Sequence, residues 1–185
     1  VLWKTSDTSI EYRKKLNTLF HTGTDFHILL MNVEALSYNK GLEFAYKFLS
    51  CHKAMIAVDE STTIKTHNTK RTKNILKLSP LSKYRRILTG SPVTKSPIDL
   101  YSQCEFLDPW LLGHSSYYTF RARYAVMKTI NLGSRSVNVV VGYQNLGELS
   151  EKIKPFSYRC LKDDCLDLPK KTFMKRMVTL TPDQQ

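Results

Sequence analysis

Three strand-like runs, each followed by a stretch with helical spacing, constrain this chain more than any other feature. The runs are His27-Ile28-Leu29-Leu30-Met31-Asn32, Ala54-Met55-Ile56-Ala57-Val58 and Tyr84-Arg85-Arg86-Ile87-Leu88-Thr89. After the first, Leu36, Leu42, Phe44, Ala45, Phe48 and Leu49 recur at helical intervals over residues 34–50, with Gly41 predicting a break near Asn39. After the second comes a basic helix over residues 69–78. After the third comes a helix over 97–107 with Pro97 at its first turn. An earlier helix over 9–20 opens on Thr8-Ser9-Ile10-Glu11, read as a capping box. Strands separated by helices pair in parallel through crossovers, so the expectation is an α/β fold: a parallel sheet with helices on both faces and strands covered on both sides.

The later chain changes character. Residues 116–127 predict an aromatic-rich helix, and 137–141 a strand paired with 128–132 across Gly133-Ser134. A short helix over 146–153 follows. A last strand is expected over 172–180, with a helix opening at Thr181-Pro182-Asp183.

Ligands of open parallel sheets bind beyond the carboxyl ends of the strands, and two polar signals fall there. Val58 runs into Asp59-Glu60, and Leu88 into Thr89-Gly90-Ser91-Pro92. Two adjacent carboxylates at the end of an apolar strand suit a Mg²⁺ bound to phosphates: the first holds the metal through water, the second orients and deprotonates an attacking water. Taken alone, the pair is more simply read as a strand end emerging into solvent, since strand ends are often polar. Gly90 allows a sharp turn, and the flanking hydroxyls can relay hydrogen bonds; an ordinary strand-to-loop turn is the alternative.

Charge separates the function classes. With Lys+Arg 28 against Asp+Glu 16 the chain carries +12, which points to a polyanion, most often nucleic acid, or else to a basic surface that serves solubility. The surplus is concentrated. No acid occurs between Glu60 and Asp99, an interval holding Lys65, Lys70, Arg71, Lys73, Lys77, Lys83, Arg85, Arg86 and Lys95. Backbone contact with nucleic acid and a solvated helix face are the two readings. No apolar run is long enough for a membrane helix. Only Cys160 and Cys165 lie close together, and the histidines share no ligand spacing, so zinc is not expected and the cysteines are read as reduced thiols. Tyr117, Tyr118, Phe120 and Tyr124 are assigned to the core rather than to base stacking; Arg121 and Arg123 are left undecided.

Taken together, these signals follow one pattern: Val58-Asp59-Glu60-Ser61-Thr62, Ile64-Lys65, Arg85-Arg86-Ile87-Leu88-Thr89-Gly90-Ser91-Pro92, Asp99-Leu100-Tyr101 and Phe106-Leu107-Asp108-Pro109, then Pro155-Phe156, Arg159, Lys162-Asp163 and Leu168-Pro169-Lys170. The pattern resembles the first motor lobe of the Swi/Snf-like branch of superfamily-2 helicases, the double-stranded DNA translocases, with the compact spacing of bacterial and phage members. The resemblance implies a RecA-like fold with ATP and Mg²⁺ as cofactors. It implies that Asp59 holds Mg²⁺ through water, that Glu60 is the catalytic base, and that Thr89, Gly90 and Ser91 couple hydrolysis to DNA movement. It implies a nucleic-acid contact surface at Asn32, Lys65, Lys70, Arg71 and Lys73. Thr62 stands where many relatives have a histidine, Ser91 where threonine is commoner, and Lys95 where asparagine is common.

No G-x-x-x-x-G-K-[ST] phosphate cradle occurs in the sequence. The expectation is therefore a partial first lobe over residues 1–169 with an insertion at about 110–143, followed by a connection over 170–185, the cradle lying upstream and a second lobe downstream. Duplex DNA, that second lobe and self-association through an exposed sheet edge are the expected partners. The compartment is cytoplasmic in a bacterial or phage-infected cell and nuclear in a eukaryote. A non-catalytic nucleic-acid-binding module with the same fold is the alternative, and an RNA helicase or restriction-enzyme motor subunit a second one.

Overall fold

The computed structural model of the chain describes residues 1–4, 6–21, 25–133, 135–161, 165 and 172–177. It divides into two units, Val1–Ile153 and Lys154–Gln185.

The first unit begins with helix α1 (Ile10–Thr18), whose cap is Ser9: its hydroxyl accepts from the Tyr12 amide at 3.2 Å. The expected box starting at Thr8 is thus displaced by one residue, because Asp7 turns to the Ser9 amide and hydroxyl and fixes Ser9 as the last extended residue. The helix expected over residues 34–50 is divided. A 3₁₀ turn (Val33–Ser37) capped by Asn32 comes first; extended Tyr38 then separates it from α2 (Asn39–Cys51). Gly41 lies inside α2, where a Cβ would meet the Ala35 carbonyl oxygen at 2.3 Å. Its role is close approach of the 3₁₀ turn to the helix, and the break falls at Tyr38, beside the expected position near Asn39.

Strand β1 (Met55–Val58) pairs in parallel with β2 (Tyr84–Ile87), and α3 (Lys70–Leu78) forms the crossover between them. Thr69 caps α3 by accepting from Thr72 N–H. After β2, a 3₁₀ turn (Pro97–Asp99) leads into α4 (Leu100–Leu107). The run at residues 27–32 forms one parallel bridge, Leu2 to Leu30, in place of a full strand. Its backbone bonds are Trp3 N–H to Leu30 O and Leu30 N–H to Val1 O, both 2.8 Å. An apolar run becomes a ladder only where a neighbouring backbone lies alongside, and here the match is three residues long.

The core gathers Leu19, Leu36, Phe48, Leu49, Val58, Ile64, Ile75, Leu78 and Phe106, with Ile56 and Ile87 packed against it. These come from the residue that caps α1, from the 3₁₀ turns Val33–Ser37 and Ser61–Ile64, from α2 to α4 and from one face of the strands. On the alternate positions Met55 and Tyr84 are more than half exposed, as are Ile28, Leu30 and Leu88. Coverage on both sides is therefore not what the described residues show. A continuous apolar run states that a strand can be buried twice; it does not state what is present to bury it.

Beyond α4, α5 (Tyr117–Tyr124) begins at a capping box formed by Ser116 and Thr119. It ends three residues earlier than its sequence suggested, since Ala125 already pairs with Tyr143 in the hairpin of β3 (Ala125–Leu132) and β4 (Arg135–Tyr143). Of the four aromatics assigned to the core, Phe120 and Tyr124 are fully buried and Tyr117 is half-buried, whereas Tyr118 is exposed, because it lies on the side of α5 turned away from that core. Helix α6 (Leu146–Ile153) returns to α5, where Glu148 takes hydrogen bonds from Tyr124 and Arg123 and pairs with Lys152. These donors, Arg123 foremost, then Tyr124 and Lys152, lower the Glu148 carboxyl to a pKa of about 2.

In the second unit a 3₁₀ turn (Lys154–Phe156) is followed by irregular chain, and the Cys160 and Cys165 sulfurs lie 2.6 Å apart. The strand expected over 172–180 is absent from its described part: residues 172–177 are irregular, with Phe173 and Met174 about nine-tenths exposed. Without a partner strand an alternating pattern has nothing to pair with. Residues 178–180 and the helix opening at Thr181 lie outside the described residues.

Candidate functional site

Parallel pairing brings the two polar strand ends together. The ladder continues one step past β2, where Leu88 N–H donates to Val58 O at 2.9 Å; Ser61 N–H then donates to Leu88 O at 3.0 Å. Asp59 and Glu60 therefore sit in a turn closed against the residue that precedes Thr89. The turn is strained at Glu60, whose φ of 47° and ψ of 57° are left-handed. For a residue with a Cβ that conformation costs about 1–2 kcal/mol, a cost typical of functional turns. Asp59 supports it by accepting the Glu60 amide at 2.9 Å, and a 3₁₀ turn (Ser61–Ile64) follows, with Thr63 N–H donating to Glu60 O.

Both carboxylates are exposed, and among the described residues neither has an ion-pair partner. Beside them the Thr63 hydroxyl is buried without a hydrogen bond. Asp59, Glu60, Thr63 and Asn32 are the polar groups of a cavity of about 500 Å³, whose other walls are apolar side chains of residues 29–31, β1, α2 and α3. Two adjacent carboxylates without a cation, next to an unsatisfied hydroxyl, form a hard oxygen donor set of the kind Mg²⁺ takes, partly through water. The residues present fit that ion. The cavity contributes no cation and is walled by hydrocarbon, so it supplies no phosphate cradle of its own.

On the other strand end, Thr89 accepts the Ser91 amide at 3.2 Å, and the Ser91 hydroxyl donates to Val93 O at 2.9 Å. The hydroxyls thus order their own loop. Gly90 differs from expectation: its φ is not left-handed, and a Cβ there would meet nothing within 4 Å. The sharp conformation belongs to Glu60.

Ser61, part of the sequence pattern but given no role by it, and Gln103, outside the pattern, join the ends from below. The Ser61 hydroxyl donates to Gln103 Oε1 at 2.6 Å, and Gln103 Nε2 donates to Pro92 O at 2.8 Å and Asp99 O at 2.9 Å. Both side chains are fully buried. A second tie runs through Lys65, which hydrogen-bonds Thr94 and pairs with Asp99 at 3.6 Å. Burial works to raise the Asp99 carboxyl and is outweighed by the Lys95 amide, the Thr94 hydroxyl and the Lys65 ammonium, which hold it below the usual range. Neither link was legible from spacing, since the partners lie 42 and 34 positions apart and carry no periodic pattern.

The remaining predicted contact residues are spread over one basic region. Asn32 is exposed and caps the 3₁₀ turn by accepting from Glu34 N–H at 3.1 Å. Lys70 and Lys73 project from α3 into solvent, while Arg71 reaches Glu34 at 3.7 Å. Lys73 and Arg121 lie close enough to His67 to add to the effect of burial in lowering its pKa. His67 itself stacks on Tyr117, centroids 3.6 Å apart, and exposed Tyr118 adjoins Arg121. Arg121 thereby joins the basic region, whereas Arg123 is held by Glu148. A second acid-free interval, from Asp108 to Glu148, covers α5 and the hairpin. No group of three metal-binding side chains and no helix able to cross a membrane occurs among the described residues.

Comparison with known proteins identifies the family. Residues 5–185 match the SNF2-related domain. The chain is 31% identical over 128 residues to human TATA-binding protein-associated factor 172, covering 69% of this chain and 7% of that protein. It is 40% identical over 81 residues to DNA repair protein RAD5 of Candida glabrata, covering 43% and 6% respectively. The structure resembles the Sulfolobus solfataricus SWI2/SNF2 ATPase core in complex with dsDNA, with TM-score 0.57, 27% identity, and coverage of 88% of this chain and 28% of that one. The chain thus spans a small part of the length of its relatives. The fold is the RecA-like α/β fold of that core, and the chain belongs to the SNF2-related domain family, in the Swi/Snf-like branch of superfamily 2.

Proposed function

We propose that the chain forms part of the ATP-binding motor lobe of an ATP-driven DNA translocase, supplying the carboxylates for Mg²⁺ and hydrolysis and part of the duplex-binding surface. Residues 1–169 are assigned to a first RecA-like lobe with an insertion at about 110–143, and residues 170–185 to the connection toward a second lobe. The observation that carries this reading is the pair of exposed carboxylates at Asp59 and Glu60, without an ion-pair partner among the described residues, in a turn closed by two backbone hydrogen bonds to Leu88, the residue before Thr89.

Each residue has a task its position supports. Asp59 would hold the cation through water, and its Oδ1 fixes the Glu60 amide. Glu60 carries a solvent-facing carboxylate in a strained turn, able to orient a water and accept its proton. When bound, Mg²⁺ neutralises charge on the phosphoryl oxygens in the transition state. Thr89, Gly90 and Ser91 pass displacement of the site to the nucleic-acid surface. On that surface Asn32, Lys65, Lys70, Arg71 and Lys73 meet the phosphate backbone, with Lys65 acting from its ion pair to Asp99. Acid-free stretches favour contacts that neutralise phosphates without reading sequence. The dsDNA of the similar archaeal core supports a duplex partner.

Nucleotide and substrate assays on the full-length protein test this. Asp59→Ala is expected to weaken Mg²⁺-dependent ATP binding at least tenfold, and duplex DNA to stimulate hydrolysis more than single strands or RNA. Unchanged Mg²⁺ dependence in Asp59→Ala would remove the metal assignment. Stimulation by RNA alone would favour an RNA helicase, and binding of duplex with no hydrolysis a non-catalytic module.

A further inference from the structure

Ser61 directly follows Glu60, and Pro92 directly follows Ser91; Gln103 holds both. Its amide oxygen accepts the Ser61 hydroxyl at 2.6 Å, and its NH₂ group donates to Pro92 O at 2.8 Å and Asp99 O at 2.9 Å. Both amide hydrogens and one acceptor site are therefore used, which fixes the orientation of the amide. Ser61 and Gln103 have no exposed surface, so water cannot replace a lost partner, and the three bonds stand or fall together. Thr62, the neighbour of Ser61 in the same turn, makes no side-chain hydrogen bond among the described residues, leaving Ser61 to carry the link.

Resting on the function proposed above, we infer that Gln103 is a positioning residue: it transmits displacement of the Thr89–Pro92 loop through Ser61 to the backbone of Glu60. The receiving end is sensitive because Glu60 is left-handed, at φ 47°, and held by few bonds. At the sending end the side chains of Thr89 and Ser91 bond, among the described residues, within their own loop, and a Cβ at Gly90 would meet nothing within 4 Å, so Gln103 is the side chain that ties this loop to the Glu60 turn. The Lys65–Asp99 pair braces the same loop farther along and sets the position of the Asp99 carbonyl that Gln103 also holds.

The test uses the full-length protein and compares ATP turnover with and without duplex DNA. Gln103→Leu removes all three bonds at similar volume. Gln103→Glu keeps the acceptor for Ser61 and loses both donors. Ser61→Ala removes one bond with little volume change. The ratio of stimulated to basal kcat is expected to fall at least tenfold in each, with KM for ATP within twofold of wild type. Ser61→Ala combined with Gln103→Leu should be no worse than Gln103→Leu alone. General damage lowers the active fraction and leaves the ratio unchanged, so a retained ratio in folded Ser61→Ala and Gln103→Glu overturns the inference even if Gln103→Leu fails to fold. Glu60→Gln serves as the control. If it hydrolyses normally, the reading of the site fails. If it is inactive and the Gln103 variants keep their ratio, only the role of Gln103 fails. A wild-type ratio of one overturns both.

Discussion

Asp59, Glu60 and Gly90 show how differently single residues are legible. A carboxylate pair ending an apolar strand declares itself, because charge at that point needs a reason. The left-handed backbone of Glu60 does not, because glutamate has no preference for it, whereas Gly90 looked like the special conformation and has an ordinary one. Gly90→Ala is accordingly expected to change unfolding free energy by no more than about 1 kcal/mol, in the stabilising direction, since it reduces unfolded-state freedom without a clash. A large loss in denaturant unfolding would show a conformational need that the geometry lacks. Asp99 gives a pH dependence. Its folded pKa is lowered, so the stability from the Lys65, Thr94 and Lys95 contacts is full above the unfolded value of about 3.9 and is lost as pH falls through the lower folded value. In acid titrations followed by unfolding, Asp99→Asn should lose part of the decline seen below about pH 4. An unchanged acid slope would mean that the carboxyl is not held by these partners.

At the scale of elements, periodicity located nearly every helix and both parallel strands, and missed what depends on neighbours. It gave α3, α4, α6 and the hairpin within a few residues. It did not foresee that residues 27–32 would make a single bridge, since pairing is a property of two segments and only one is visible in a pattern. Nor did it find the Ser61–Gln103 bond, because two buried polar residues look unfavourable until their partners are known. Gly41 is the element-scale test. With the Ala35 oxygen 2.3 Å from the position of a Cβ, Gly41→Ala must push the 3₁₀ turn off α2. A loss of about 2 kcal/mol or more is expected from overpacking, despite the better helix propensity of alanine. Chemical denaturation reads it directly, and a neutral result would mean that the turn and α2 are less closely packed.

For the molecule as a whole, charge and the exposed face of the sheet make separate predictions. The acid-free intervals should give this chain weak duplex binding with a slope of about −0.9 in log K against log salt per phosphate neutralised. Changing Lys70, Arg71 and Lys73 together to Glu should abolish binding; an unchanged slope would locate the surface elsewhere. Met55, Tyr84, Leu88, Ile28 and Leu30 present apolar surface on strands and strand-like segments with unpaired edges, so concentration-dependent self-association is expected in sedimentation. A strictly monomeric chain across a hundredfold concentration range would argue that these edges are protected.

Under the proposed function the carboxylates at the end of β1 serve ATP hydrolysis, and Glu60→Gln in the full-length protein separates that role from nucleotide binding. The substitution keeps the shape of the side chain and removes the proton acceptor. ATP binding should stay within a few-fold of wild type, while duplex-stimulated hydrolysis, measured as phosphate release, should fall by about 10²–10⁴, the contribution expected of a positioned base. Hydrolysis at the wild-type rate would contradict the assignment of Glu60 and, with it, the motor-lobe reading of this chain.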